Sequence, residues 1–320
     1  MKAMSDLCWV YQQNSAVTVR STNLPIERQT TALEEATQHI DLVRKEREYY
    51  RSVLKEAATL LGGLFTDPVT GLYSPPLSRP LAELDIMAHN SFDYAQQVQF
   101  PSNPLQPGPM YFLTARKCGI FGVCCEAILQ QVNFLVDKTF LTGKGANAVN
   151  SMLHYYLEHH GVHSAIGHLN ADNCAGQSKN NPMIWYLLWR VLTGLKKRIS
   201  LSFLPAGHTK FSPDWCFGVL KQRCRSVVGS LHDLVEVVER STSVKKAQVV
   251  GTLEGECIVK SYDWTGHLAP FFKKVKAIKT IHHFVMDCPA MCKVTMRKTS
   301  DDPDVREQLL REPTVILSTH

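Results

Sequence analysis

At 320 residues, 44% of them apolar and 20% charged, the chain can bury a sizeable core, and this composition excludes a disordered or fibrous polymer. Its ten cysteines form no disulfide-like framework, its start carries no apolar signal segment, and no stretch is apolar for long enough to span a membrane, so the expectation is an intracellular protein with reduced thiols. The net charge of +6 is lopsided: residues 190–298 carry 19 Lys and Arg against 8 Asp and Glu, residues 1–189 carry 14 against 16, and this suits either a polyanion-facing surface or a solvated basic face.

In chain order, the clearest element is a helix over 31–61. Leu33, Ala36, Ile40, Val43, Tyr50, Leu54, Ala57 and Leu61 alternate three and four apart, with Arg47 in the one missing slot. Such a heptad stripe either pairs two copies as a homodimer or packs on the helix's own domain. Residues 62–80 are dense in Gly and Pro and read as a linker. A strand follows at 88–100, then 110–114 and 119–126 as one or two strands and another at 131–136, then a helix at 146–160, a strand at 164–171, a helix at 182–193 with Pro182 in its first turn, a strand at 198–204, and a helix at 212–225 with Ser212 as N-cap. Three strands in succession followed by alternation is the order of an RNase H-like α/β domain, a mixed sheet flanked by helices, here over 81–240. Beyond it, 241–320 reads as a small α+β appendage, with strands at 249–252, 257–260 and 293–296 and helices at 267–272 and 304–310.

Three acids fall at useful points of that order. Asp93 lies in the first strand, Asp172 ends the strand after the first helix of the domain, and Asp214 opens the helix after the last strand. If the first and fourth strands are neighbours, their carboxylates meet at one end of the sheet and the helix acid closes over them. Mg²⁺ and Mn²⁺ favour such hard oxygen donors, and two ions about 3.5–4 Å apart can clamp the attacking and leaving oxygens of a phosphodiester displacement. Taken singly, each acid is also an ordinary turn former or cap, and Asp214 suits a helix N-terminus. Asn173, Gln177, Lys179, Asn180 and Asn181 follow Asp172 and can either bind phosphate or cap the next helix. His208 and Lys210 precede Asp214; His208 can act beside a metal, stabilise a leaving oxygen or merely bridge a backbone carbonyl.

Two of these segments carry a resemblance. Asp172-Asn173-Cys174-Ala175-Gly176-Gln177-Ser178-Lys179-Asn180 and Gly207-His208-Thr209-Lys210, with Asp214 four residues on, resemble transposon-derived, DDE-type transposase-like proteins with an RNase H-like domain, a large uncharacterised group in animal genomes. Ser91-Phe92-Asp93-Tyr94, Tyr262-Asp263-Trp264 and Ile281-His282-His283-Phe284 are similar to the same family, so the likeness runs from about residue 6 to about residue 310. It implies DNA cleavage and strand transfer in the nucleus with Mg²⁺ or Mn²⁺, with Asp93, Asp172 and Asp214 as metal-holding triad and His208 beside them. A domesticated, catalytically silent derivative that binds DNA or protein is the alternative. Ser178 stands where the family has Asn, and Cys8-Trp9-Val10-Tyr11 stands where relatives carry Cys-x-x-Cys.

Other candidates carry less. His282, His283, Cys288 and Cys292 fit no common zinc spacing. His154, His159, His160, His163 and His168 read as scattered solvent-facing residues, and Gly143-Lys144-Gly145 lacks the spacing of a phosphate loop. Cys124-Cys125 in an apolar strand reads as core.

Overall fold

The computed structural model describes residues 25–65, 86–95, 97–101, 115–137, 143–208, 210–223, 228–242, 245–252, 254–287 and 293–312. The long helix α1 (Ile26–Phe65) comes first, followed by β1 (Met87–Tyr94), β2 (Val98–Phe100), β3 (Arg116–Cys125) and β4 (Gln130–Asp137). Helices and strands then alternate as α2 (Ala146–His159), β5 (Ile166–Ala171), α3 (Asn181–Leu192), β6 (Arg198–Phe203), α4 (Ser212–Arg223) and α5 (Leu231–Ser241). The remainder is β7 (Lys245–Val249), α6 (Trp264–Leu268), β8 (His283–Asp287), β9 (Lys293–Arg297) and β10 (Val305–Gln308). Among the described residues the strands form one ten-stranded mixed sheet in the order β10-β9-β8-β6-β5-β1-β3-β4-β7, with β2 paired to β3. The protein is therefore an α/β fold with helices on both faces of the sheet.

The order follows from chain geometry. β1, β3 and β4 pair antiparallel in succession, whereas β5 and β6 each return through a helix, so β5 lies parallel to β1 and β6 parallel to β5. β1 ends up central, parallel to β5 and antiparallel to β3, and five consecutive residues from Ala88 to Phe92 are buried because both faces are covered. The expected strand over 88–100 is thus two, β1 and β2, and the expected strand at 110–114 lies outside the described residues.

The two faces differ in chemistry. On one, Phe92, Phe121, Val123, Phe134, Leu169, Leu201, Phe203, Phe284 and Met286 meet the buried sides of α2, α3 and α6 in a continuous apolar core. Helix α3 is buried along almost its whole length; Asn180 caps it by accepting the Met183 N–H at 3.0 Å, and Pro182 sits in the first turn as expected. On the opposite face, α4 and α5 cover β3 and β4 with Phe217, Leu220, Leu231 and Leu234. The Phe217 ring lies where a Cβ on Gly122 would stand, 2.7 Å from it, so a side chain there would force α4 off the sheet. Next to this patch the same face turns polar. His89, Ser91, His168, Asn170, Ser202 and His283 are all buried in β1, β5, β6 and β8, and α1 lies across them.

Helix α1 docks on this polar strip through unusual contacts. The Glu46 carboxylate, fully buried, accepts from His283 Nε2 and from the Ser300 N–H, both at 2.7 Å, and His283 Nδ1 lies 3.0 Å from Ser202 Oγ. Tyr49 stands edge-on to His283 and Tyr50 edge-on to His89, while Ala57 and Leu61 are buried at the far end of the contact. Of the two readings of the heptad stripe, packing on its own domain therefore holds for its C-terminal half. Leu33 and Ile40 remain exposed. The helix also runs through Gly62 and Gly63 to Phe65, where a linker was expected to begin; the rest of that linker lies outside the described residues.

The C-terminal quarter departs most from expectation. Residues after 241 do not form a separate α+β appendage: β8, β9 and β10 extend the sheet beyond β6, and β7 extends it beyond β4. The strand expected at 249–252 lies earlier, as β7, and 257–260 contributes only an isolated bridge between Cys257 and Gly251. The helix expected at 267–272 is α6, shifted towards Trp264. The helix expected at 304–310 is the edge strand β10, paired antiparallel to β9. Val305-Arg306-Glu307-Gln308 is polar at three of its four positions and has no core-facing stripe of its own, so pairing with the open edge of β9 makes it a strand. Among the described residues no helix is long and apolar enough to cross a membrane.

Candidate active site

The parallel register of β1 and β5 pairs Phe92 with Ala171, so Asp93 and Asp172 occupy the next position on each strand, side by side at the same end of the sheet. Asp214 comes from the first turn of α4, which packs on β1 and β3 at that end through Phe217. Its Oδ2 accepts the Phe211 N–H at 2.9 Å. Ser212, expected as the N-cap, is instead the first helical residue, because Asp214 reaches back to cap the chain itself. The three acids feel one another: burial, then the charges of Asp172 and Asp214, push the Asp93 carboxyl from its ordinary value up to about 7.

Each acid already uses one carboxylate oxygen locally. Asp93 Oδ1 accepts the Tyr94 N–H at 2.7 Å; Asp172 Oδ1 accepts Ser178 Oγ at 2.7 Å and the Cys174 N–H at 3.2 Å. In kind, three carboxylates at one sheet end suit a hard divalent cation, which would relieve the repulsion that raises Asp93. In position, no group of three or more His, Cys, Asp or Glu side chains among the described residues stands close enough to hold one.

The polar run after Asp172 builds the loop instead of lining it. Cys174 O accepts the N–H groups of Gln177, Ser178 and Lys179 at 3.1, 2.9 and 3.0 Å, closing a tight turn. Asn173 donates to Leu204 O and accepts from Lys179 Nζ at 2.8 Å. Lys179, expected at a phosphate, is 3% exposed and lies 5.0 Å above the Phe203 ring; burial pushes its ammonium down to about 8. Asn180 takes the capping role, with its Nδ2 donating to Ala175 O at 3.2 Å. Gln177 is half-buried beside them. His208 Nε2 lies 3.2 Å from His39 Nε2 of α1, and Lys210 is exposed.

Two residues that the sequence did not single out hold Asp214 in place. Glu126, buried in the turn between β3 and β4, accepts the Ser212 N–H through Oε1 at 3.0 Å and the Tyr50 hydroxyl through Oε2, which also lies 3.4 Å from His89 Nδ1. Arg47 of α1 donates to the carbonyls of His208 and Lys210, clamping the segment that leads into α4. Neither shows a local signal: Glu126 is a lone acid at a turn, and Arg47 reads as a break in a heptad stripe.

The chain matches, over residues 114–302, the family described as Domain of unknown function (DUF7869). That is more than half of its length. The chain belongs to this family. The DUF7869 match takes in Asp172 and Asp214 but begins after β1, so Asp93 lies outside it. No curated protein matches the chain, and no solved structure does.

Within the DUF7869 domain the histidines correct the expectation of scattered solvent-facing residues. His168 is buried under α1 and stacks on His89, ring centres 5.1 Å apart and planes within 11°. Burial pushes His89 down to about 4 and His168 well below its usual range, so both are neutral. On the other face His154 accepts from the buried Arg190 guanidinium at 3.0 Å, which in turn donates to Glu158 at 2.7 Å. His159 and His163 are exposed. Of the zinc candidates, His283 is engaged with Glu46, and Cys288 and Cys292 lie outside the described residues. Cys124 and Cys125 are core residues, as expected, and burial pushes the Cys125 thiol up to about 12. Lys144 lies 5.5 Å over the Tyr94 ring, next to Asp93 in sequence.

Proposed function

We propose that this domain is a transposase- or integrase-like protein of RNase H-like fold that cuts and joins DNA in the nucleus with Mg²⁺ or Mn²⁺. The observation that carries the reading is the juxtaposition of Asp93 and Asp172 at the ends of adjacent parallel strands, with Asp214 delivered by a helix docked on the same end. The strand order β4-β3-β1-β5-β6, with β1 and its fourth major strand β5 side by side, supports the RNase H-like assignment. Asp93, Asp172 and Asp214 would hold the metal, which supplies charge stabilisation to an in-line phosphodiester displacement. The chain's own residues prepare that site. Ser178 and the Cys174 N–H orient Asp172, Glu126 and Arg47 fix the start of α4, and His208 borders it. DNA is the proposed partner, and Leu33 and Ile40 on the exposed stripe of α1 are the residues a homodimer would bury.

The silent-derivative reading is favoured by one observation: the three carboxylates are not yet within shared reach of an ion. Nicking of supercoiled DNA by the full chain separates the two. With Mn²⁺ the wild type is expected to nick, and Asp172→Ala to fall to the protein-free background. Salt-sensitive DNA binding with no Mn²⁺-dependent nicking by the wild type would establish the silent derivative instead.

A further inference from the structure

From Trp264 to Met286 the chain carries four lysines and no Asp or Glu. The lysines are Lys273, Lys274, Lys276 and Lys279, all exposed and all in the segment between α6 and β8. Among the described residues none of the four belongs to an ion pair. We infer that this lysine loop is a DNA-backbone rim flanking the acidic end of the sheet, an inference that rests on the reading of that end as a DNA-processing site.

Topology sets the loop at that end. β8 runs antiparallel to β6, and its first residue, His283, pairs with Ser202, itself paired with Asn170 just before Asp172. The chain entering β8 therefore arrives where β5 delivers Asp172. A direct tether adds to this: the Val275 N–H donates at 2.7 Å to Asn181 Oδ1, and Asn181 begins α3 immediately after the Asp172 loop.

The loop is also held rigidly. Phe272 and Val275 are buried beneath it, Trp185 Nε1 donates to Lys273 O at 2.8 Å, and the Lys273 N–H donates to Leu309 O at 2.7 Å. Ala277 adopts a left-handed conformation, φ 51°, rare for a residue with a Cβ, and its carbonyl accepts both the N–H and the hydroxyl of Thr280. Anchored backbone with unpaired ammonium groups is a preorganised array of positive charge, which lowers the ordering cost of meeting a polyanion. The acids of the β9–β10 turn, which antiparallel pairing brings to the same end of the sheet as the start of β8, already have partners: Asp301 has Lys45 at 2.7 Å, Asp302 the Thr299 N–H at 2.9 Å, and Asp304 Arg297 at 3.5 Å. Evenly charged DNA phosphates are the partner such a spaced row fits; each neutralised phosphate releases counterions and steepens the salt dependence.

The test is fluorescence anisotropy of a labelled duplex titrated with the full chain across a salt series. Replacing the four lysines by glutamine is compared with the same change at Lys55, Lys197, Lys246 and Lys293, exposed lysines on other parts of the fold. The loop variant is expected to lose about 0.9 from the salt slope for each phosphate contact removed, and about tenfold or more in affinity at moderate salt, with the control set much less affected. An unchanged slope, or equal loss in both sets, would overturn the inference. So would equally tight, equally lysine-dependent binding of a polyglutamate peptide, which would make the loop a docking site for an acidic protein segment. Nicking is scored separately: a flattened slope without nicking sinks the catalytic reading alone, and nicking with an unchanged slope sinks the lysine rim alone.

Discussion

Glu46→Ala is expected to destabilise the protein by about 2–5 kcal/mol, because it takes the acceptor from two buried donors, each costing about 1–3 kcal/mol when left unsatisfied. Glu46 is fully buried, and its two oxygens satisfy His283 Nε2 and the Ser300 N–H; alanine leaves both groups without water or partner. Burial alone would raise the Glu46 carboxyl, but the hydrogen bond and charge of His283 and the Ser300 donor outweigh it and hold it below the usual range. A carboxyl held low contributes stability above its unfolded-state value, and that contribution fades as the pH falls through the folded value. The deficit of Glu46→Ala should therefore be largest near neutrality and shrink in acid, read by urea unfolding at several pH values. A loss under about 1 kcal/mol at pH 7 would mean that α1 does not dock through this pair.

Asp93→Asn is expected to do the opposite. Because burial and the charges of Asp172 and Asp214 raise Asp93 from about 3.8 to about 7, the folded state holds a proton between those values that the unfolded chain has released. Wild-type stability therefore falls as the pH rises from about 4 to about 7, and stays depressed above it. Asparagine removes the penalty, so the variant should exceed the wild type by about 1–3 kcal/mol at pH 8, after allowance for partial solvation, with the gain gone below pH 4. Unfolding of both proteins at pH 4 and pH 8 checks this; an identical difference at the two values would show that Asp93 does not sit among like charges.

Much of the site was legible in the sequence, because strand ends and helix starts carry local marks. Asp172 at the end of β5 and Asp214 in the first turn of α4 fall where hydrophobic alternation stops and Gly207 and Pro213 punctuate the chain. The same patterning gave the helix–strand alternation after residue 146, but among the described residues four strands precede it where three were expected, the second of them the short β2. What was not legible depends on distant contacts. A polar strand residue ordinarily faces solvent, so His89, His168 and Ser202 gave no hint of burial; they are covered by α1, whose Glu46 meets His283 from 237 residues away. Lys179 looked like a phosphate ligand because its burial over Phe203 and its bond to Asn173 arise only when the loop closes. The C-terminal strands looked like a separate unit because their partners, β6 and β4, lie far back in the chain.

The proposed cation site draws one acid each from β1, the end of β5 and α4. Titrating the full chain with Mn²⁺ and following the free ion by electron paramagnetic resonance tests it most directly. Uptake by the wild type, weakened at least about tenfold in each of Asp93→Asn, Asp172→Asn and Asp214→Asn, is the predicted result. Undiminished uptake in the three variants, or none in the wild type, would contradict it.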